Sequence, residues 1–193
     1  MDPDAVYLRL TEGMPVAFEK HVVASILALS FGEAAGGPVA EAAGYEGLPD
    51  VLKALFPGEE TALAGPNRLV RSDDEACLHD LLRRGAGCGS PFEMLLAGMI
   101  ARRAQRPNHL WQDLGLRNRG ELSALMTRYF GPLARRNRDD MKWKKFFFRI
   151  ICRDADYSLC TAPSCGECSD FDNCFNEETG EALLAHWRRE ADG

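Results

Sequence analysis

Apolar residues recur at helical spacing along most of this chain, and no stretch alternates with the period of a strand. The first broad apolar face is Val22, Val23, Ile26, Leu27 and Leu29, on a helix that Pro15 can open and Gly32 can end. His21 lies in that helix and reads as a structural or solvated histidine. Residues 32–47 are glycine-rich and form a connector with room for one helical turn. A helix over Leu48 to Phe56 takes Pro49 in its first turn and stops at Pro57-Gly58, and residues 58–70 read as loop.

Two helices with clear start signals follow. Ser72 and Glu75 form a capping box ahead of the stripe Cys77, Leu78, Leu81 and Leu82, which makes Cys77 a packed small residue. Ser90, Pro91 and Glu93 repeat the signal for a helix to about Gln105, which Pro107 keeps from continuing. Cys88, in Gly-Ala-Gly-Cys-Gly between the two, should be exposed. Asn108 is placed to cap a short helix, and Asn118 to cap the next, with Leu122, Leu125, Met126 and Tyr129 on one face. Asn137 or Asp139 then opens a helix with Trp143, Phe146, Phe147, Ile150 and Ile151 on one side and lysines opposite. A last helix starts at Thr179 and turns Leu183, Leu184 and Trp187 inward. The expected fold is all-α, with roughly six to eight helices and an irregular cysteine-rich loop near the C-terminus.

With 193 residues and 46% hydrophobic content, the chain can build one generous domain, or a domain with a small metal module. It has no apolar run long enough to span a bilayer and no secretory signature, so a soluble cytoplasmic protein is expected. The formal net charge of −6 argues against a general nucleic-acid binder. Charge is unevenly spread: Arg135, Arg136, Arg138, Lys142, Lys144, Lys145 and Arg149 crowd one segment, whereas Asp154 to Glu181 holds eight acids and no Lys or Arg.

The chain carries seven cysteines, an odd number that, without an export signal, favours reduced thiols and a metal over disulfides. Four of them, Cys160, Cys165, Cys168 and Cys174, stand in a C-x4-C-x2-C-x5-C run within fifteen residues. Crowded thiolates repel unless something compensates them, and the residues between them favour turns, so this run is a ligand site. A structural zinc site with four thiolate ligands is one reading. An iron–sulfur cluster is the other, and the asymmetric spacing suits a cluster whose sulfides occupy most corners. A C-terminal cysteine loop also resembles the iron–sulfur DNA glycosylases related to endonuclease III. The first spacing differs from theirs, however, and no helix-hairpin-helix with catalytic Lys and Asp is present. A redox sensor is a further reading, although no helix-turn-helix stands out to report on it.

Four stretches carry a family resemblance: RPNHLWQDLGLRNRGELSALM from Arg106 to Met126, the segment Pro132 to Asn137, MKWKKFFFRIIC from Met141 to Cys152, and LCTAPSCGECSDFDNCF from Leu159 to Phe175. On these the chain resembles the NifQ family of nitrogen fixation, strongly from about Glu75 to Trp187 and weakly before that. The division expected is a variable helical part over 1–70 and a helical domain over 71–193 that carries the cluster loop at 160–174. The resemblance implies cluster ligation by Cys160, Cys165, Cys168 and Cys174. It implies a molybdenum–iron–sulfur cluster and a carrier, not an enzyme, that supplies molybdenum to iron–molybdenum cofactor assembly. It also implies molybdate as metal source, and the nitrogenase iron protein and the cofactor-scaffold complex as partners, with no nucleic acid and no membrane. His109, Asp170, Asp172 and Cys152 are further candidate donors to molybdenum, since imidazole, carboxylate and thiolate can complete its coordination. The bland reading of His109 is a helix-start or core histidine, and of Asp170 and Asp172 solvated or capping acids.

Overall fold

A computed structural model describes residues 2–12, 17–34 and 36–154, with the side chains of 152–154 left aside. The described chain is all-α, as the periodicity predicts. Its elements are α1 (Pro3–Thr11), α2 (Phe18–Glu33), α3 (Val39–Ala43), α4 (Asp50–Leu55), α5 (Glu60–Leu63) and α6 (Asp73–Arg84). They continue with α7 (Pro91–Arg103), α8 (Leu110–Asp113), α9 (Arg119–Tyr129), α10 (Gly131–Ala134) and α11 (Trp143–Asp154). These eleven segments among the described residues exceed the expected number partly because α3, α5 and α10 are only four or five residues long, too short to show a period. α1 is a further addition, with Asp2 accepting from the Asp4 amide and Pro3 in the first turn. The helix expected from Thr179 lies outside the described residues.

α2 is the central element, with Val22, Val23, Ile26 and Leu27 wholly buried. It runs through Gly32 to Glu33, one residue further than its glycine suggests, and this brings Glu33 to the buried Arg103, in a charge network described below. α1 lies against α2, joined by a 2.7 Å hydrogen bond between the Tyr7 hydroxyl and His21 Nδ1. The opposite ring nitrogen of His21 stands 2.8 Å from Glu121 Oε1 on α9. His21 is thus a buried structural residue that links three helices.

α6 and α7 pair across the loop at 85–90, which Glu93 organises. Its carboxylate accepts from the Ser90 amide at 2.7 Å and from the amides of Gly87 and Cys88, completing the capping box predicted for Ser90. Burial pushes this carboxyl up, but hydrogen bonds from Ser90 and Cys88 outweigh it and hold it below the usual range. The box predicted at Ser72 is only half made. Ser72 accepts from the Glu75 amide, but the Glu75 side chain turns inward to Arg102 Nε at 3.1 Å and Arg71 Nε at 3.6 Å. Burial raises the Glu75 carboxyl above its ordinary value, with Arg102 and Arg71 pulling the other way.

The core is continuous from Val6 on α1 to Ile151 on α11, and so crosses residue 70. α3 reaches α7 at backbone distance: a Cβ on Gly98 would stand 2.5 Å from the Gly44 carbonyl, and Gly44 itself has φ +92°. No helix among the described residues is long and apolar enough to cross a membrane.

Candidate metal-loop anchor

α11 ends six residues before Cys160, the first cysteine of the run, and is the last described element ahead of it. The predicted stripe is buried throughout: Trp143, Phe146, Phe147, Ile150 and Ile151, joined by Phe148. Trp143, Phe146 and Phe147 form a ring cluster with centroids 5.7 to 6.0 Å apart, Trp143 edge-on to Phe146. This face rests against α6, and Trp143 Nε1 reaches Ser123 Oγ on α9 at 3.5 Å. Neither Asn137 nor Asp139 caps the helix as expected. Asn137 instead accepts from the Met141 amide at 2.9 Å and donates to its carbonyl at 3.0 Å, closing the loop before α11. Arg119 of α9 holds the same loop through Asp140, at 3.1 Å between side chains.

A second anchor comes from the segment Arg106 to Gly115. Pro107 keeps α7 from continuing, and the N-cap of α8 is His109 instead of Asn108, with Gln112 accepting from the His109 amide at 3.1 Å. Asn108 is freed from capping because its amide donates to Asp113 Oδ1 at 3.1 Å. After α8, Gly115 takes φ +69°, and a Cβ there would stand 2.8 Å from the Ser25 carbonyl of α2. Only glycine makes this turn at this distance from α2.

Asp113, 3% exposed, is the centre of this segment. Its Oδ2 accepts from Lys144 Nζ of α11 at 2.5 Å, and Lys144 also donates to the Arg106 carbonyl. Its own carbonyl accepts from Arg103 Nε at 2.6 Å. Arg103, 1% exposed, completes its fork on Glu33 of α2 through Nη1 and Nη2, both at 2.7 Å. Arg106 meets the same carboxylate at 2.7 Å. Burial pushes the Glu33 carboxyl up, but Arg103 and then Arg106 more than offset it, so the group stays below its usual range. A chain of charge-assisted bonds therefore runs from α2 through α7 and α8 to α11.

These charges are not legible as a site in the sequence. The pattern puts Lys144 on the solvated face of α11, yet its side chain is 12% exposed and points back to α8. The rest of the basic segment divides accordingly, with Arg135, Arg136, Arg138 and Arg149 exposed.

Of the candidate donors, His109 lies half-buried at the start of α8, matching the helix-start reading. Cys152 is on the last turn of α11, and its side chain is outside the described residues. Cys160, Cys165, Cys168, Cys174, Asp170 and Asp172 all lie outside the described residues. Within the described residues no group of three or more His, Cys, Asp or Glu side chains is arranged to hold a metal ion. Cys77 is half-buried at the margin of the core, and Cys88 is exposed with its thiol donating to Glu93 Oε2 at 3.2 Å. Both agree with their sequence readings.

The NifQ family profile matches residues 22–176. The NifQ homolog of Sinorhizobium fredii is 38% identical over 172 residues, spanning 86% of this chain and 75% of that protein. NifQ of Rhodobacter capsulatus is 37% identical over 154 residues, 78% of this chain and 86% of its own length. NifQ of Azotobacter vinelandii is 37% identical over 109 residues, 56% of each chain. No solved structure matches the chain. The helical scaffold just described, with α11 anchored at the entry to four closely spaced cysteines, belongs to a member of the NifQ family.

Proposed function

We propose that this chain is an iron–sulfur molybdenum carrier. It binds molybdenum on a cluster held by Cys160, Cys165, Cys168 and Cys174, and delivers it for assembly of the iron–molybdenum cofactor in nitrogen fixation. The observation that carries this reading is the C-x4-C-x2-C-x5-C run in a chain that belongs to the NifQ family. Four thiolates are a soft donor set that fits an iron–sulfur cluster, and sulfide in such a cluster is a soft ligand for molybdenum. The molybdenum is cargo, so the chain acts as a carrier and not as a catalyst.

What this chain's own residues contribute is a fixed starting point. Anchors on both sides of α11 hold the helix that precedes the run, which limits the positions a receiving partner must search. Asp170 and Asp172 within the run, and Cys152 before it, are further candidate donors along the chain. His109, at the head of α8, is a more distant one in sequence. The receiving partners in this reading are the nitrogenase iron protein and the cofactor-scaffold complex, with molybdate as the metal source.

Anaerobic purification followed by iron, sulfide, molybdenum and zinc analysis, with a visible absorption spectrum, tests the proposal. Iron and sulfide should be present together, with molybdenum accompanying them after growth on molybdate. Replacing any one of Cys160, Cys165, Cys168 or Cys174 by Ala should remove most of the iron, whereas Cys77→Ala and Cys88→Ala should leave it nearly unchanged. Stoichiometric zinc without sulfide would refute the cluster, and equal loss of iron from Cys88→Ala would refute its assignment to one loop.

A further inference from the structure

A cleft of about 220 Å³ lies where the C-terminal end of α6 meets α10, lined by Leu81, Arg84, Gly85, Pro132, Leu133 and Arg136. Its shape depends on Gly85, because a Cβ there would stand 2.9 Å from the Leu133 Cβ and force the two helices apart. Leu81 and Leu133 are buried, while Arg84 and Arg136 are exposed at the rim.

The arginines at this cleft differ from most others in the chain. Arg71, Arg102, Arg103, Arg106, Arg119 and Arg128 each meet a carboxylate. Among the described residues, no carboxylate pairs with Arg84 or Arg136. Asp80 stands one turn before Arg84 on α6 without forming an ion pair with it, α10 carries no acid, and Asp140 beyond it is taken by Arg119. In a chain with 29 acids against 23 Lys and Arg, unpaired guanidiniums gathered at one cleft are not explained by overall balance. Such groups repel one another, and low-dielectric walls strengthen their field. An anion with several oxygens removes the repulsion and matches the planar donor fork of arginine.

The geometry points to this cleft as a binding site for a tetrahedral oxyanion, with Arg84 from α6 and Arg136 from the turn after α10 as its donors. That molybdate is the physiological anion rests on the carrier reading above; that an oxyanion binds here does not. The site then serves capture of the metal in its oxyanion form, separately from the thiolates that would hold it afterwards.

Titration calorimetry on the anaerobically purified full chain, with sodium molybdate, sulfate and phosphate in turn at low ionic strength, tests it. Binding should saturate at one anion per chain and weaken as salt is added. Arg84→Gln/Arg136→Gln should weaken it roughly tenfold or more per arginine removed. Arg117→Gln, at an exposed arginine elsewhere, should change it little, and Arg136→Gln alone gives the same reading should the double variant fold poorly. Preference for molybdate supports capture of the carrier's metal, and equal binding of sulfate supports a general oxyanion site. No saturable binding, or undiminished affinity in both arginine variants, overturns the inference. Failure of the carrier reading would appear separately, as absence of molybdenum in the metal analysis.

Discussion

The ion pair between Asp113 and Lys144 is the most testable element of the α11 anchor. The two side chains are 2% and 12% exposed and meet at 2.5 Å. Removing one partner of such a pair leaves an uncompensated buried charge, which costs about 3–5 kcal/mol. Lys144 retains some solvent contact, so the lower end, about 3 kcal/mol, is expected for either Asp113→Asn or Lys144→Met. In a chain of this length each kcal/mol lowers Tm by roughly 2–4 °C, which gives a fall of roughly 6–12 °C for each single variant. The double variant leaves neither charge behind and should lie within about 1–2 kcal/mol of the parent, so the two changes are strongly non-additive. Urea unfolding of all four proteins under the same anaerobic conditions measures this, with hydrogen exchange to read α11 directly. A cost below about 1 kcal/mol for Lys144→Met, or additive costs in the double variant, would refute the reasoning.

Two further consequences concern the same scaffold. Glu33 has its carboxyl held below the ordinary 4.5, so its contribution is present above that pH and is lost as pH falls through the depressed folded value. Glu33→Gln should therefore flatten the acid limb of urea-midpoint against pH between about 5 and 3, by less than about 1 kcal/mol because the side chain is 37% exposed. Parallel limbs in parent and variant would contradict this. Gly115→Ala should destabilise by roughly 2–4 kcal/mol, from the left-handed backbone and the overlap with the Ser25 carbonyl together. A change under about 1 kcal/mol in the same assay would show that the turn relaxes freely.

What is legible in the sequence depends on how local each signal is. The α11 stripe can be read because Trp143, Phe146, Phe147, Ile150 and Ile151 repeat at helical spacing, and the Ser90 cap because its partner is three residues away. The Ser72 motif has the same spacing, yet Glu75 is claimed by Arg102, a residue 27 positions further on that no local pattern reveals. The anchor is non-local in the same way, since Lys144 and Asp113 are 31 residues apart, and Arg103 and Glu33 are 70 apart. Their charges look like solvated residues until the fold brings them together. The cysteine run is the reverse case, legible from spacing alone and outside the described residues.

This separation between anchor and run has an energetic consequence. The stripe of α11, the Asp113–Lys144 pair and the Arg103–Glu33 fork are each made between elements of the described bundle. Residues 155–181 contain few apolar side chains, Tyr157, Leu159, Phe171 and Phe175 being the largest, so hydrophobic burial offers that segment little stability and a bound cluster would supply most of it. Removing the cluster should then leave the bundle standing. Chelation of the loaded protein should change helical circular dichroism only slightly and leave the hydrogen-exchange protection of α2, α7 and the first turns of α11 intact. On the carrier proposal, cargo could then be surrendered without unfolding of the bundle. Cooperative loss of the whole helical signal on chelation would instead mean that the cluster is part of the core's stability, and the bundle could not serve as an independent anchor.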